Sequence, residues 1–369
     1  MQNSKSMAFL EFKNVRVAGI AAGVPKTIAS NLHPTADDMV SSEYTPEDYV
    51  KTTGVRERRV SRVLTTADLG YAAAEQLIKD LGWNKSEIEA LIFVSQSHDY
   101  ILPATACILQ DRLGLNKECY AFDGSIGCSG WVYGMSTAAS LLGEGRMKKV
   151  LMICGDAKKR FRIPGNQLRD PLFGSAGTAT ALEYCEGAQG LQCHFGTDGS
   201  GFDAIITPDG GARSPYTVHS FDFEEVEGKQ MCRLQTRMKG MDVFSFGITT
   251  APKSVKSLAE HYGFDYLNAD YFIFHQANMK MNNMIVKKLK LPEEKVPSCM
   301  YRFGNTSSAS IPLTIAGELH GQCENGKQFI CCGFGVGLSW GTIRFTSDNM
   351  IVSNLVEVDD NEADNKYVV

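Results

Sequence analysis

The chain has 369 residues, 43% of them hydrophobic and 21% charged, enough for two domains or one large duplicated globular domain. A formal net charge of −5 gives no global reason to expect nucleic-acid or anionic-membrane binding, and no apolar run reaches the length of a membrane span. Eleven cysteines, scattered and without a Cys-x-x-Cys pair, argue against a disulfide framework and against a zinc ribbon or other metal site. The opening Met1–Ala8 lacks a signal-like apolar core, so reduced thiols in the cytoplasm are the expectation.

In chain order, strands and helices alternate. Residues 12–22 and 90–95 read as strands. Thr66 is expected to cap a helix over 68–82, with Leu69, Ala73, Leu77 and Leu81 at helical spacing. The stretch Gly130–Leu142 carries no charge, which predicts a helix buried on most sides, and 150–155 reads as a third strand. A Gly- and Pro-rich passage over 196–215 separates two comparable halves. The second half repeats the rhythm: a helix over 243–262, a strand over 270–274, a basic helix over 279–291, then strands over 329–334 and 338–345. Such alternation predicts α/β architecture with largely buried sheets. Division is expected into 1–195, 196–346 and a polar, acidic tail over 347–369, flexible and without chemistry.

Chemistry concentrates in four segments. Cys128 lies in Asp123-Gly-Ser-Ile-Gly-Cys-Ser-Gly-Trp131, at the start of the uncharged helix. A thiol there feels the positive end of the helix dipole, which favours thiolate, although a core cysteine is the ordinary reading. His275 in Phe274-His-Gln-Ala-Asn-Met-Lys280 falls where a strand ends and a helix begins, the usual place for ligands in open α/β sheets. Asn305 in Arg302-Phe-Gly-Asn-Thr-Ser-Ser-Ala-Ser310 would by itself be a turn residue. Cys332-Gly-Phe-Gly-Val-Gly-Leu-Ser-Trp-Gly341 is a tight inter-strand turn, and lacks the Lys-Ser/Thr and helix of a phosphate loop.

In this order and spacing the segments resemble β-ketoacyl-acyl-carrier-protein synthase III of the thiolase-like condensing enzymes, across nearly all of Phe12–Phe345. The motifs Gly54-Val-Arg-Glu-Arg-Arg59 and Thr197-Asp-Gly-Ser-Gly201 match as well. The resemblance implies a five-layered αβαβα fold of two similar halves, and a Cys, His and Asn triad at Cys128, His275 and Asn305. It implies acyl transfer to Cys128, then decarboxylation of a malonyl thioester whose enolate His275 and Asn305 stabilise by hydrogen bonds. Backbone N–H groups of Cys128 and Val336 would form the oxyanion hole, and Phe334 would shield the decarboxylation from water. Substrates would be acyl-coenzyme A or acyl-carrier donors and malonyl-acyl carrier protein, with no cofactor. Gln276 and Lys280 would receive the acidic carrier, and the enzyme would be a homodimer.

The sequence departs from that family in places. Tyr49 and Thr52 stand where a Trp and an Arg grip the coenzyme A adenine, which favours a carrier-borne donor. Ser175 replaces an expected Asp in Phe173-Gly-Ser-Ala-Gly-Thr178. Leu102 replaces a Phe that limits acyl length across the subunit interface, which predicts an altered and longer pocket. Gln96 stands where 3-hydroxy-3-methylglutaryl-coenzyme A synthase needs a Glu, and Gly-Asn-Thr where thiolase has its second cysteine, so both are discounted. Acyl transfer to an oxygen or nitrogen acceptor without decarboxylation remains an alternative.

Overall fold

A computed structural model describes residues 8–34, 45–157 and 171–368. Residues 1–7, on which the reading of the amino terminus rests, lie outside that set. The seven-stranded sheet runs β17 (Ile351–Val352), β2 (Val15–Pro25), β8 (Ala176–Tyr184), β7 (Lys149–Asp156), β5 (Ala90–Val94) and β6 (Tyr120–Gly124), with β18 (Val356–Val358) also pairing β2. The five-stranded sheet runs β1 (Ala8–Phe12), β9 (Leu191–Thr197), β16 (Ser339–Thr346), β15 (Gln328–Gly335) and β14 (Tyr271–Phe274). Three small ribbons pair β3 (Ile28–Ser30) with β4 (Glu57–Arg59), β10 (Ile205–Ile206) with β13 (Arg237–Met238), and β11 (Phe223–Val226) with β12 (Lys229–Cys232).

The helices complete five layers. Between the sheets lie α4 (Gly130–Leu142) and α8 (Ser310–Glu318), which touch strands of both. Outside the larger sheet lie α2 (Thr66–Leu81) and α3 (Thr105–Arg112); outside the smaller lie α5 (Gly240–Tyr262) and α6 (Met279–Leu289). Two short helices, α1 (Pro46–Thr53) and α7 (Met300–Phe303), flank α6 and β4 respectively. The halves share a rhythm: α4 leads into β7 and the antiparallel β8, and α8 leads into β15 and the antiparallel β16. This is the αβαβα arrangement that the resemblance implied.

The local reasons are visible in the residues. β5 and β7 are apolar almost throughout because helices cover both faces of their sheet. α4 carries no charge because it is sandwiched: Trp131, Val132, Met135, Ala138 and Ala139 are buried, and Trp131 Nε1 donates to Thr180 Oγ1 at 3.0 Å. α2 turns Leu69, Ala73 and Leu77 into the core, and packs so closely that a Cβ on Gly177 would lie 2.8 Å from the Leu69 carbonyl carbon.

Four expectations need correction. Thr65, not Thr66, caps α2, in a capping box with Asp68; the Thr66 hydroxyl instead meets Ser97 Oγ and accepts from Ala157 N. The strand expected over 12–22 is two strands, because Asn14 turns the chain with φ of 59°. The division at 195/196 falls inside β9, and β1 and β9 belong to the sheet that the second half completes. Residues 347–368 are not a flexible appendage: β17 and β18 pair in parallel with β2, and Met350, Val352 and Val358 are buried. An acidic composition concealed short apolar anchors. Ion pairs such as Arg59–Glu357 at 2.7 Å absorb part of the charge.

A chain ending at Thr346 would leave the β2 edge unpaired and three apolar sites empty. Urea unfolding should show at least about 3 kcal/mol lost, from the ~1.5–3 kcal/mol that each fully buried aliphatic side chain supplies.

Candidate active site

The larger sheet delivers Cys128. β6 ends at Asp123–Gly124, the chain turns with Gly130 N donating to Gly127 O at 2.7 Å, and α4 starts at Gly130. Cys128 thus stands just ahead of the first helical turn rather than within it, half-buried, beside the N-cap Ser129. Ser129 makes no side-chain capping bond; its Oγ pairs with Ser339 Oγ at 2.6 Å, and Ser339 Oγ donates to Val336 O at 2.7 Å. This hydroxyl chain ties the cysteine turn to the glycine turn between β15 and β16. The first-turn N–H groups of α4 are left without a side-chain cap, which keeps the helix dipole available to a thiolate.

Contact with the smaller sheet is tight. A Cβ on Gly335 would lie 2.6 Å from Cys128 Cβ and 2.9 Å from its Sγ, so only glycine fits at the end of β15. Val336 follows directly, its Cγ2 3.5 Å from where a Cβ on Gly127 would stand. Phe334, just before, is buried and meets the His275 ring edge-on at 5.6 Å between centroids.

His275 extends the parallel ladder beyond β14, donating from its backbone N to Cys332 O at 2.9 Å. Its ring is buried, with Nδ1 2.7 Å from Ser310 Oγ at the start of α8. Burial pushes its pKa down to about 3, a shift that a hydrogen bond with the Ser307 backbone opposes only in part. The imidazole is therefore neutral near pH 7.

Asn305 is buried on the loop before α8. Its backbone is clasped by the 172–174 segment, with Asn305 N donating to Leu172 O at 2.8 Å and Gly174 N to Asn305 O at 3.1 Å. Ser175 N, next along, donates to Arg59 O; nothing in the structure explains the Ser175 side chain. Asn305 Oδ1 accepts from Ser307 N at 2.9 Å, which fixes the amide orientation. Nδ2 then faces the segment after His275, 3.4 Å from Ala277 O. Cys128, His275, Asn305, Phe334 and Val336 thus gather around the end of β15.

Sequence reasoning missed the supports. Ser310 orients the histidine, and Ser307, with φ of 53°, bends its backbone toward both the ring and Asn305. Both lie in the quoted Ser-rich run, where only the left-handed backbone marks Ser307 out. Asp156, buried at the end of β7, accepts from Gln96 N at 2.9 Å, Ser95 Oγ at 3.1 Å and Ser97 Oγ at 3.0 Å, and so fixes the segment beside Gly127.

Other expected residues fall outside this cluster. Gln276 is only 1% exposed, donates to Phe274 O at 2.7 Å and accepts from Ser298 Oγ at 2.6 Å. Its assignment to carrier contact is corrected: both ends of its amide are spent holding the β14–α6 turn. Lys280 is exposed on α6, its Nζ 5.7 Å from the Phe244 ring centroid, and Lys287, Lys288 and Lys290 follow it. Leu102 is 79% exposed on the 98–104 loop.

Comparison with known proteins agrees with this geometry. The family model described as 3-oxoacyl-[acyl-carrier-protein (ACP)] synthase III matches residues 122–199, and the model of its C terminal matches 260–346. A putative 3-oxoacyl-[acyl-carrier-protein] synthase 3 of Campylobacter jejuni is 32% identical over 356 residues, covering 94% of this chain and 97% of the relative. The chain belongs to the 3-oxoacyl-[acyl-carrier-protein] synthase III family. A β-ketoacyl-[acyl-carrier-protein] synthase III of Xanthomonas campestris is 32% identical over 330 residues, 89% of this chain and 96% of that one. The crystal structure of a 3-oxoacyl-(acyl-carrier protein) synthase from Burkholderia xenovorans superposes with a TM-score of 0.87 at 36% identity, covering 95% and 99% of the two chains. Of the two synthase III family matches, one spans Cys128 and the other His275, Asn305 and Val336, while the 347–369 segment lies outside both.

An ordinary histidine titrates near 6.5 and His275 near 3. Between those values the unfolded chain binds a proton that the folded chain does not, so the stability contributed by a neutral His275 is full above pH 6.5 and is lost as pH falls toward 3. Wild-type protein should therefore lose more stability than His275→Gln on acidification through that window, measured by urea unfolding at each pH.

Proposed function

We propose that this chain catalyses decarboxylative Claisen condensation of an acyl thioester with malonyl-acyl carrier protein. The observation that carries the reading is the pairing of two neutral hydrogen-bonding groups, His275 and Asn305, with Cys128 at a helix start. Cys128 ionises by giving its proton to solvent, the thiolate attacks the donor carbonyl, the donor's carbon–sulfur bond breaks, and the donor leaves as a thiolate that takes a proton back from solvent. The malonyl thioester then loses carbon dioxide, and the electron pair of the broken carbon–carbon bond passes into an enolate. Asn305 Nδ2 donates to the enolate oxygen. In the tautomer in which the Ser310 hydroxyl donates to Nδ1, the neutral His275 ring carries its proton on Nε2 and donates there too. A positively charged imidazole is not needed, which agrees with its lowered pKa. The enolate carbon attacks the acyl carbonyl on Cys128, the thiolate is expelled, and a β-ketoacyl carrier leaves.

Backbone N–H groups of Cys128 and Val336 serve as the oxyanion hole in both acyl steps, supported by the close approach of Gly335. Phe334 walls the His275 side against water. The reaction as written needs no metal or prosthetic group. Lys280 and the lysines of α6 attract the acidic carrier by charge. The exposed Leu102 loop reaches a partner's acyl pocket in a homodimer. Among the described residues no helix is long and apolar enough to cross a membrane. This reading assigns the protein to the cytoplasm, where a nucleophilic thiol stays reduced.

Intact-mass analysis after mixing with acyl donors of several lengths should show one acyl adduct in wild type and none in Cys128→Ala. His275→Ala and Asn305→Ala should still acylate but release carbon dioxide from malonyl carrier at least about a hundredfold more slowly. Adducts that malonyl carrier never discharges would instead point to transfer onto another acceptor. Lys280→Glu should raise KM for malonyl carrier several-fold at low salt, roughly within the range expected of a steering charge, with the difference shrinking as salt is added.

A further inference from the structure

The 98–104 loop follows β5 beside the cysteine turn and carries an exposed apolar tip, with Ile101 90% and Leu102 79% exposed. It is tied down at both ends. At the start, Asp156 accepts from Gln96 N; at the far end, Asp123 accepts from Thr105 N and Ala106 N, each at 2.7 Å. Asp123 opens the segment that carries Cys128. Between those anchors His98 Nε2 lies 3.7 Å from Asp123 Oδ2 and Asp99 N donates to Thr105 Oγ1 at 3.2 Å, and a tether also comes from the carboxy-terminal segment: the Tyr100 hydroxyl donates to the backbone carbonyl of Tyr367.

The terminal residues are themselves held firmly. Tyr367 OH donates to Asp111 Oδ2 at 2.6 Å, and Lys366 Nζ pairs with the same carboxylate at 2.9 Å. These two partners hold the Asp111 carboxyl below its ordinary pKa. Arg112 pairs with Asp68 at 3.0 Å and with Asp364 at 3.2 Å. Its guanidinium lies over the Tyr71 ring at 4.6 Å and the Tyr367 ring at 5.9 Å. Upstream, β17 and β18 fix the segment to β2, and Ser61 Oγ donates to Asp360 Oδ1 at 2.6 Å. The segment therefore runs from the far edge of the larger sheet across α2 and α3, and meets the loop at Tyr100, two residues before Leu102.

We propose that the carboxy-terminal segment is a strap that sets the position of the Ile101–Leu102 tip through Tyr100, making Tyr100 a positioning residue for acyl-donor length. The second half of this statement rests on the reading of Leu102 as a wall of the acyl pocket. The first half does not. An extended loop with an apolar, solvent-exposed tip has little to hold it in one place. The Tyr100 hydrogen bond ties the loop next to that tip to a segment anchored by charge and aromatic contacts, a constraint from outside the loop itself.

Tyr100→Phe removes one hydroxyl and keeps the ring; a chain ending at Val358 removes the strap and keeps β17 and β18. Hydrogen–deuterium exchange of the 96–106 amides is read first, in both variants. It should rise by roughly five- to tenfold, the change expected for one lost hydrogen bond of about 1 kcal/mol. Unchanged exchange in Tyr100→Phe overturns the strap, whatever the kinetics. Relative kcat/KM for acetyl, hexanoyl and octanoyl donors is read next, with Leu102→Phe alongside, while carbon dioxide release from malonyl carrier should stay at the wild-type rate in Tyr100→Phe. A shifted donor ranking in both Tyr100→Phe and Leu102→Phe supports the whole proposal. A shift in Leu102→Phe alone overturns the role in donor length. If exchange rises and neither variant shifts the ranking, the strap stands and the pocket reading of Leu102 falls.

Discussion

Everything in the site depends on how closely the end of β15 passes Cys128. The two are contributed by opposite halves of the chain, and they meet with no room for a single methyl group at Gly335. That approach puts Val336 next to the cysteine turn and Phe334 against His275. It also explains the hydroxyl chain from Ser129 through Ser339 to the Val336 carbonyl, which locks the same junction from the side. A larger residue at Gly335 would push apart the two sheets' active ends rather than perturb one side chain.

Polar groups buried at this junction are satisfied by hydrogen bonds from their neighbours. His275 is surrounded by hydroxyl, backbone and aromatic groups, so burial dominates and the ring is neutral. Asn305 spends its oxygen on Ser307, which turns its Nδ2 toward the segment after His275. Asp156 is held by hydroxyls and a backbone N–H. His275 and Asn305 themselves thus offer hydrogen-bond donors without carrying negative charge, in keeping with the proposed condensation, which builds negative charge on oxygen.

The fold secures these groups by placing α4 and α8 between the sheets, each beginning at a reactive loop. Because α4 is shielded on both sides, its start is rigid and its dipole is poorly screened. Outside the central layers the chain is more varied. Its carboxy-terminal segment joins the larger sheet through β17 and β18 and continues to the 98–104 loop, linking the far edge of the sheet to the rim of the site.

Period and composition made the layered α/β order legible: the uncharged Gly130–Leu142 helix and the apolar strands follow from burial on both faces, which leaves a direct mark on sequence. Motif spacing likewise made Cys128, His275 and Asn305 legible, because each sits at an element boundary punctuated by Gly or Ser. What sequence concealed was set by contacts between distant segments. The acidic carboxy terminus read as a tail because its apolar stretches are short, and the strands around Val352 and Val358 pair over three hundred residues upstream, on β2. Gln276 read as a surface contact because nothing local shows that Ser298 closes over it. The membership of β1 and β9 in the second half's sheet is likewise a matter of long-range pairing. Sequence by itself determined the layered α/β order and singled out Cys128, His275 and Asn305 as candidates; only the tertiary structure decided which segments meet, because close packing between segments remote in the chain has no local signature.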